Sequence, residues 1–328
     1  MTTRETAERP APEPQDRPRS AALSKEEQEV VKRLSGGFGW PTVVLAIGLF
    51  ATQASVIALW ALGVIPMWAG FIVNSFVAYA WYTVHHDATH KAISGRNPRW
   101  RWIEASCGAV AGVALQLEFS AYARNHLRHH AHTNTPADPD LMVKGPMWQL
   151  PIKWAVGNLF MLMGALPGGQ KLIGRLVAKL DLPMPVAESE RDKADRARLI
   201  WLVRIELVVL LATIPFGWFW PAFLLWWLPS RVGVLYLSIL FQWLPHFPFD
   251  RTDRFGATRI NRFPGSTWML IQQDRHLIHH LYPQIPWYRY RAAFRELRPL
   301  LVANGAIIQG SGTSPHVPIQ LREHPEAA

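Results

Sequence analysis

The sequence predicts an all-α integral membrane protein with four transmembrane helices in two hairpins, re-entrant or interfacial helices, and a cytoplasmic histidine-rich cap. Three observations predict this class. Residues 40–84 and 199–244 form two apolar blocks, each about twice the length of roughly 20 residues that crosses a bilayer core. Each block is interrupted near its middle, which predicts two spans per block. Histidines gather in four groups beside the ends of the apolar segments.

The chain opens with a polar, proline-rich stretch that includes "RPAPEPQDRPRS", so residues 1–35 are predicted to be a disordered cytoplasmic arm. No apolar segment begins the chain, and a cleavable signal peptide is therefore not expected. Residues 36–305 are predicted to form the membrane domain, followed by a flexible tail at 306–328. The single cysteine, Cys107, rules out an intramolecular disulfide framework and suits a reducing compartment.

The first apolar block contains no Asp, Glu, Lys or Arg and is predicted to form spans at about 41–63 and 66–84, broken at "VIPMWAG". The second block is predicted to form spans at about 199–217 and 221–244, broken at "PFGWFWP". Its charged residues are Arg204, Glu206 and Arg231. Because a charge as deep as Arg231 is costly in lipid, it predicts a cavity or a buried partner.

Between the two blocks, the apolar segment 105–122 is too short to cross a bilayer comfortably, and it is predicted to be a re-entrant or interfacial helix. Lys and Arg concentrate in the N-terminal arm, in residues 91–198 and in the C-terminal tail. By the positive-inside rule, both termini and the histidine groups face the cytoplasm of a bacterial-type inner membrane. The net charge of +10 favours contact with anionic lipid or an acidic redox partner. Nucleic acid is not a predicted partner, because no recognition module accompanies the charge.

Eleven of the thirteen histidines fall in "HHDATH" (85–90), "HLRHHAH" (126–132), "LPHFP" (244–248) and "HLIHH" (276–280). In "HLRHH" and "HLIHH" the histidines stand at i, i+3 and i+4, so a helix presents all three on one side. Neutral imidazole is a strong ligand for iron, copper, zinc and nickel. Nine candidate ligands are too many for one ion, which predicts two metals. They are His86, His90, His126, His129, His130, His246, His276, His279 and His280.

Residues beside these groups have predicted supporting roles. Asp87 and Asp274 adjoin candidate ligands and are predicted to accept the second N–H of a liganding imidazole, which fixes the orientation of its ring. Asp138 and Asp140 suit the same role or that of loop carboxylates and helix caps. His85 and His132 are predicted to lie outside the ligand set, behind the ligands or facing solvent.

In order and placement, "HDATH", "HLRHH" and "HLIHH" resemble the three histidine boxes of the membrane fatty acid desaturase superfamily, over roughly residues 40–300. The resemblance implies a di-iron enzyme, with the nine histidines as iron ligands, that uses O2 and two electrons to attack an unactivated C–H bond of a lipid. It also implies a ferredoxin-like or other external electron donor, because the chain contains no fused haem or iron–sulfur domain. "LPHFPFD" and "HLIHHLYPQIPWYRYR" look like the bacterial carotenoid β-ring hydroxylases and ketolases.

Carotenoid ring hydroxylation or ketolation is therefore the predicted function, and a fatty-acyl-lipid desaturase or hydroxylase is the alternative. A metal transporter is a more remote reading, since it would need polar or histidine residues inside the spans, where 40–84 offers only scattered ones. A zinc hydrolase is equally remote: "HDATH" distantly resembles the H-E-x-x-H motif of metalloproteases, but the other three histidine groups would then have no role.

Overall fold

The computed structural model describes residues 23–179 and 189–309, and these residues are mainly helical. The helices are α1 (Lys25–Leu34), α2 (Trp40–Ala61), α3 (Met67–Thr89), α4 (Arg101–Leu115), α5 (Phe119–His132), α6 (Leu150–Ala165), α7 (Gly169–Lys179), α8 (Glu190–Ala212), α9 (Phe219–Ala222), α10 (Leu228–Leu237), α11 (Leu244–His246), α12 (Ser266–Met269), α13 (His276–Leu281) and α14 (Tyr290–Ala303). Two π-helical stretches, Phe223–Trp227 and Ser238–Trp243, join α9, α10 and α11 into one continuous helix. The described residues also form six short 3-10 helices and two short strands, β1 (Arg259–Asn261) and β2 (Ile307–Gln309).

Three helical segments of the described chain are long and apolar enough to cross a membrane: Trp40–Ala61, Glu190–Phe216 and Phe219–His246. They coincide with the first, third and fourth predicted spans. Apolar side chains point outward from them, as shown by Phe50 at 64% and Val208 at 65% exposure, which suits a surface covered by lipid. Helix α3 has 23 residues, enough to span at 1.5 Å per residue. Its second half is polar and histidine-rich, and its crossing of the membrane stays a prediction.

Helix α3 lies at the centre of the membrane part and packs against α2, α4 and α10. The contact with α10 depends on Gly233, where an added Cβ would lie 2.8 Å from the Cβ of Ala78 and 2.9 Å from the backbone nitrogen of Tyr79. Because neither neighbour can move away as a flexible side chain would, glycine is required for this close approach. The packing buries the second half of α3, which carries the first histidine group.

The segment predicted as one re-entrant or interfacial helix, 105–122, is instead divided between α4 and α5. Gln116 ends α4 with a left-handed backbone (φ 57°), and the carboxylate of Glu118 caps α5 by accepting a hydrogen bond from the backbone N–H of Ala121. An added Cβ at Gly112 would lie 2.7 Å from the carbonyl oxygen of Leu117, so the chain can turn back closely against α4. The turn redirects α5 and sets the position of the second histidine group.

Helices α1, α13 and α14 pack together into a cap that has its own hydrophobic core. The core includes Leu34 from α1, Leu277 from α13, and Tyr290 and Leu297 from α14. Strand β1 pairs in parallel with β2, in a register that sets Arg259 opposite Ile307. The all-α prediction is therefore wrong in this one detail. Strands of three residues are too short to show the alternation by which a sequence indicates a strand.

The ends of the folded part also differ from the predicted boundaries. Helix α1 lies inside the arm predicted to be disordered through residue 35, and Ser24 begins it with a capping box in which Ser24 and Glu27 exchange hydrogen bonds. Strand β2 lies inside the tail predicted to be flexible from residue 306. Residues 1–22 and 310–328, which hold the rest of both predicted segments, lie outside the described residues.

Candidate metal centre

Three of the four histidine groups lie at the C-terminal ends of helices, and the fourth makes up a short helix of its own. His86 and His90 close α3, the three histidines of "HLRHH" lie in the last two turns of α5, His246 ends the long helix at α11, and "HLIHH" forms most of α13. The C-terminal end of a helix carries partial negative charge from its unpaired carbonyl groups, which favours a bound cation. Helix ends that converge in this way would stabilise positive charge before any side chain contributes.

The nine predicted ligands come together in two adjoining sets. The first histidine cluster is His86, His90, His126 and His279, and the second histidine cluster is His129, His246, His276 and His280. Within each cluster the candidate ligand atoms all lie within 4.8 Å of one another. His130 groups with His279 of the first cluster and His280 of the second, so it lies between them. The count of two metal positions predicted from the sequence matches this division.

The distances between ring nitrogens are compatible with binding to a common metal ion. Nε2 of His279 lies 2.9 Å from Nε2 of His86 and 2.7 Å from Nε2 of His130. In the second cluster, Nε2 of His276 lies 3.2 Å from Nε2 of His246 and 3.1 Å from Nε2 of His280. Imidazole nitrogens bound at about 2.1 Å and at right angles around one ion lie about 3.0 Å apart. The observed spacing therefore fits the edges of a metal coordination polyhedron.

Buried nitrogens without hydrogen-bond partners support the same reading. Nε2 of His90 is buried and has no hydrogen-bond partner among the described residues, and its ring centroid lies 4.8 Å from that of His279. A buried imidazole nitrogen normally has a partner, and a metal ion would provide one. The residues present therefore fit two metal ions, one for each histidine cluster.

Burial also sets the protonation state that ligation needs. Burial, with a smaller effect from neighbouring imidazoles, lowers the pKa of His126 and His279 well below the ordinary histidine value. Burial likewise lowers the pKa of His276. Only a neutral imidazole has a lone pair free for a metal, so near neutral pH these rings are in the ligating form.

Two side chains outside the clusters hold ligand rings from behind. Oδ1 of Asp138 lies 2.9 Å from Nδ1 of His129, and both side chains are 2% exposed. The hydroxyl of Tyr290 lies 3.2 Å from Nδ1 of His279. Each contact uses the ring nitrogen opposite to the one in the cluster, and so fixes the tautomer and the orientation of the ring. For Asp138 the sequence is compatible with this role and with that of a loop carboxylate or helix cap. No sequence signal indicates the role of Tyr290.

The partners predicted for Asp87 and Asp274 are wrong. Among the described residues, the Asp87 carboxylate accepts hydrogen bonds from the hydroxyl of Thr42 (2.8 Å) and the backbone N–H of Trp287 (3.4 Å). The Asp274 carboxylate is bonded to the side chains of Ser266, Thr267 and Arg275. For Asp87, adjacency in sequence is misleading because on an α-helix the residue next to a ligand points about 100° away from it. Asp274 lies two residues before His276, in the 3-10 helix Gln273–Arg275.

The two histidines predicted to lie outside the ligand set do lie outside both clusters. His132 is exposed at the end of α5. His85 is fully buried, and its ring packs edge-on against Phe119 and Tyr122, with centroids 5.1 Å and 4.5 Å away. His85 is therefore neither solvent-facing nor bonded to a ligand ring in the described contacts.

Aromatic rings separate the histidine clusters from the membrane part. Tyr82 and Tyr122 share a hydrogen bond between their hydroxyls, and the ring of Phe241 lies 4.4 Å from that of Tyr82. We call these three residues the aromatic wall. Its rings lie against the clusters, with Tyr122 stacked at 5.4 Å from His126 and Phe241 at 5.3 Å from His276. The histidine clusters are therefore covered on this side by aromatic rings.

The buried charge of Arg231 has the partner that its depth predicts. Its guanidinium donates to the side chain and to the backbone carbonyl of Gln116, the latter at 3.1 Å, and lies 3.6 Å from a carboxylate oxygen of Glu206. The side chains of Arg231 and Glu206 are each 4% exposed. This group joins α8, α10 and the end of α4, and it fixes the spans around the site.

Known proteins resemble this chain over most of its length. The family model described as fatty acid desaturase matches residues 58–311. A chloroplastic omega-6 fatty acid desaturase from Brassica napus is 23% identical over 284 residues, which cover 79% of this chain and 59% of the plant protein. A beta-carotene ketolase from a Paracoccus species is 25% identical over 268 residues, which cover 76% of this chain and 93% of the ketolase.

A further relative, an sn-1 oleoyl-lipid 12-desaturase from a Picosynechococcus species, is 22% identical over 284 residues, or 79% of this chain and 76% of that protein. The chain thus spans a little over half of the length of the plant desaturases that it matches, and most of the length of the bacterial relatives.

Proposed function

Because the chain belongs to the fatty acid desaturase family, we propose that it is a membrane di-iron oxygenase that oxidises C–H bonds of a lipid. The reaction that we propose is hydroxylation or ketolation of a carotenoid β-ring. Hydroxylation consumes one O2, two electrons and two protons for each C–H bond converted to C–OH, and it releases one water. The electrons come from an external donor, and the enzyme lies in the bacterial inner membrane with its active site toward the cytoplasm.

The observation that carries the proposal is the pair of histidine clusters beside the aromatic wall. When bound, two iron ions would supply the redox chemistry that activates O2. The chain's own contribution is to hold nine imidazoles in place, with Asp138 and Tyr290 orienting two of them. The aromatic wall excludes water from the membrane side and would hold an apolar substrate next to the clusters, where positioning decides which C–H bond reacts.

The carotenoid substrate is favoured by the extent of one match. The alignment with the beta-carotene ketolase covers 93% of that protein, whereas the alignment with the Brassica napus desaturase covers 59% of the plant protein. The second candidate is an acyl-lipid desaturase or hydroxylase, because desaturases match the same part of this chain at similar identity. Desaturation would consume the same O2, two electrons and two protons, but would form a C=C bond and release two waters.

Expression in bacteria that accumulate β-carotene tests the substrate. We expect hydroxylated or keto pigments by chromatography and mass spectrometry, with the fatty acids unchanged. Unchanged pigments together with a new unsaturated or hydroxylated acyl chain would replace the carotenoid proposal with the second candidate.

A matched pair of histidine variants tests whether the product depends on the clusters. His279→Ala removes a ring shared by the first cluster and the His130 group, and we expect it to abolish product. His132→Ala removes an exposed histidine outside both clusters and should leave product formation unchanged. The purified protein should hold two irons per chain. Two zinc ions per chain, with no restoration of activity by iron, would contradict the oxygenase proposal.

A further inference from the structure

A surface cavity of about 380 Å³ reaches one of the predicted metal ligands from outside. His90 lines this cavity and also belongs to the first histidine cluster, into which its buried Nε2 points. Most of the other lining residues belong to α1 and the loop after α3, including Val31, Gln28 and Gly95, and Leu23 and Gln284 complete the walls. The ring of His90 therefore separates the cavity from the rest of the first histidine cluster.

The cavity is positively charged. Lys32, Lys91 and Arg96 line it, all three are exposed, and no Asp or Glu of the described residues does so. Lys32 and Lys91 form no ion pair with a carboxylate in the described part of the chain. Arg96 is fixed by a hydrogen bond of 3.2 Å from its guanidinium to the backbone carbonyl of Lys32. A cluster of cations free of counter-charge around a concave surface attracts an acidic partner.

We propose that this cavity is the docking site of an acidic one-electron carrier protein of the iron–sulfur class, which passes electrons to the metal pair through the His90 ring. The proposal rests on the proposed function, because that function needs two electrons from outside the chain for each turnover. Each docking event oxidises one reduced carrier and reduces the metal pair by one electron, so two events supply one turnover. Such encounters bury little surface and depend on charge for their rate.

An anionic lipid surface is a poorer fit to the same cations. The lining residues include Leu23, Gln28 and Gln284, and the exposed tryptophans typical of a membrane interface are not among them. A flat layer of lipid headgroups would also not enter a cavity as far as the metal ligand at its base. A protein partner with a protruding acidic loop matches both the shape and the charge.

The test uses the iron-loaded full chain in detergent with a plant-type [2Fe–2S] ferredoxin as the probe. Lys32→Glu/Lys91→Glu should raise the ferredoxin concentration for half-maximal turnover about tenfold at low salt, and the difference should shrink as salt rises. Ferredoxin binding, measured without turnover, should weaken in parallel. Turnover driven by a chemical reductant should stay at the wild-type level, since that reductant does not need the docking site.

Lys171→Glu/Lys179→Glu is the matched control, because it makes the same change in net charge at two exposed lysines on α7, outside the cavity. An equal effect of the two double variants, or no effect of Lys32→Glu/Lys91→Glu, would overturn the docking proposal. Weaker binding to phosphatidylglycerol vesicles with unchanged ferredoxin binding would also overturn it, in favour of lipid. Absence of chemically driven turnover in the wild type would instead refute the proposed function, and ferredoxin binding would still test the docking site.

Discussion

Replacing Asp138 by asparagine should selectively weaken the metal position of the second histidine cluster. The Asp138 carboxylate lies behind His129, with Oδ1 2.9 Å from Nδ1 of that ring. It also accepts hydrogen bonds from the backbone N–H groups of Asn134 (2.7 Å, at Oδ2) and Asp140 (2.9 Å, at Oδ1). An asparagine offers one oxygen and one NH2 group at these two positions, so the amide cannot satisfy all three donors.

The size of the effect follows from these contacts. With the amide oxygen toward His129, the NH2 group faces the backbone N–H of Asn134 and one hydrogen bond is lost. The remaining bond to His129 loses its ionic character, and bonds to charged groups contribute about 1 kcal/mol more than neutral ones. The second carboxylate near this ring, Asp140, lies 3.8 Å away, too far to replace the bond without movement. Together these losses correspond to about 10- to 100-fold weaker metal binding.

The assay is a chelator titration of iron-loaded protein with iron counted per chain. Asp138→Asn should release one iron at about 10- to 100-fold lower chelator concentration than wild type, while the second iron stays bound. Asp87→Asn is the matched control, because Asp87 is equally buried and adjoins His86 but contacts Thr42 and Trp287. Equal release of iron from the two variants, or wild-type retention in Asp138→Asn, would refute the reasoning.

Chelation, acid and the loss of one intramembrane charge should act on different parts of the molecule. Excess chelator should lower the melting temperature of the iron-loaded protein, and added iron should restore it, because a ligand that binds the folded state stabilises that state. An unchanged melting temperature would contradict this expectation. Burial alone would raise the pKa of Glu27, but hydrogen bonds from Tyr282, Ser24 and Arg254 lower this pKa below 4.5. The ionised Glu27 therefore stabilises the fold above pH 4.5, and this stabilisation is lost as the pH falls through the lowered pKa. Limited proteolysis should therefore show α1 released at acidic pH in wild type, while Glu27→Gln should already be less protected at neutral pH and change little with acid. Arg231→Leu should lower the free energy of unfolding in detergent by about 3 to 5 kcal/mol, because it leaves Glu206 buried and unpaired. Arg231→Leu/Glu206→Leu should recover most of the lost stability. Absence of recovery would show that loss of the ion pair is not the cause.

The sequence predicted the long helices and the histidines that come together, because both depend on local patterns. A charge-free block and an i, i+3, i+4 spacing are visible without knowing what packs where. Where the outcome depended on long-range contacts, the predictions went wrong. Asp87 adjoins a ligand but bonds to Thr42, 45 residues away, and to Trp287, 200 residues away. No local pattern indicates such partners.

The same reasoning explains the other differences. Helix α1 follows a proline-rich stretch, and its composition is charged, so the sequence indicated disorder. It is stabilised by the core it shares with α14 and by Glu27, which accepts hydrogen bonds from Tyr282 and Arg254 at 2.6 Å each. Those residues lie more than 220 positions further along the chain. The break between α4 and α5 likewise depends on close packing at Gly112, which hydropathy cannot reveal.

The distribution of ligands between the two parts of the fold links metal binding to the docking of the cap. The first cluster combines His86, His90 and His126 from the membrane-side helices with His279 from the cap. The second joins His129 and His246 to His276 and His280 in the same way. A metal ion held by both parts stabilises only the docked arrangement, so metal affinity and cap docking must favour each other to the same extent. Chelation should therefore loosen α13 and α14 before it affects the spans. In the metal-free protein, amide hydrogen exchange should be faster in α13 and α14 than in α8. Equally fast exchange in all three helices would show that metal binding is not linked specifically to cap docking.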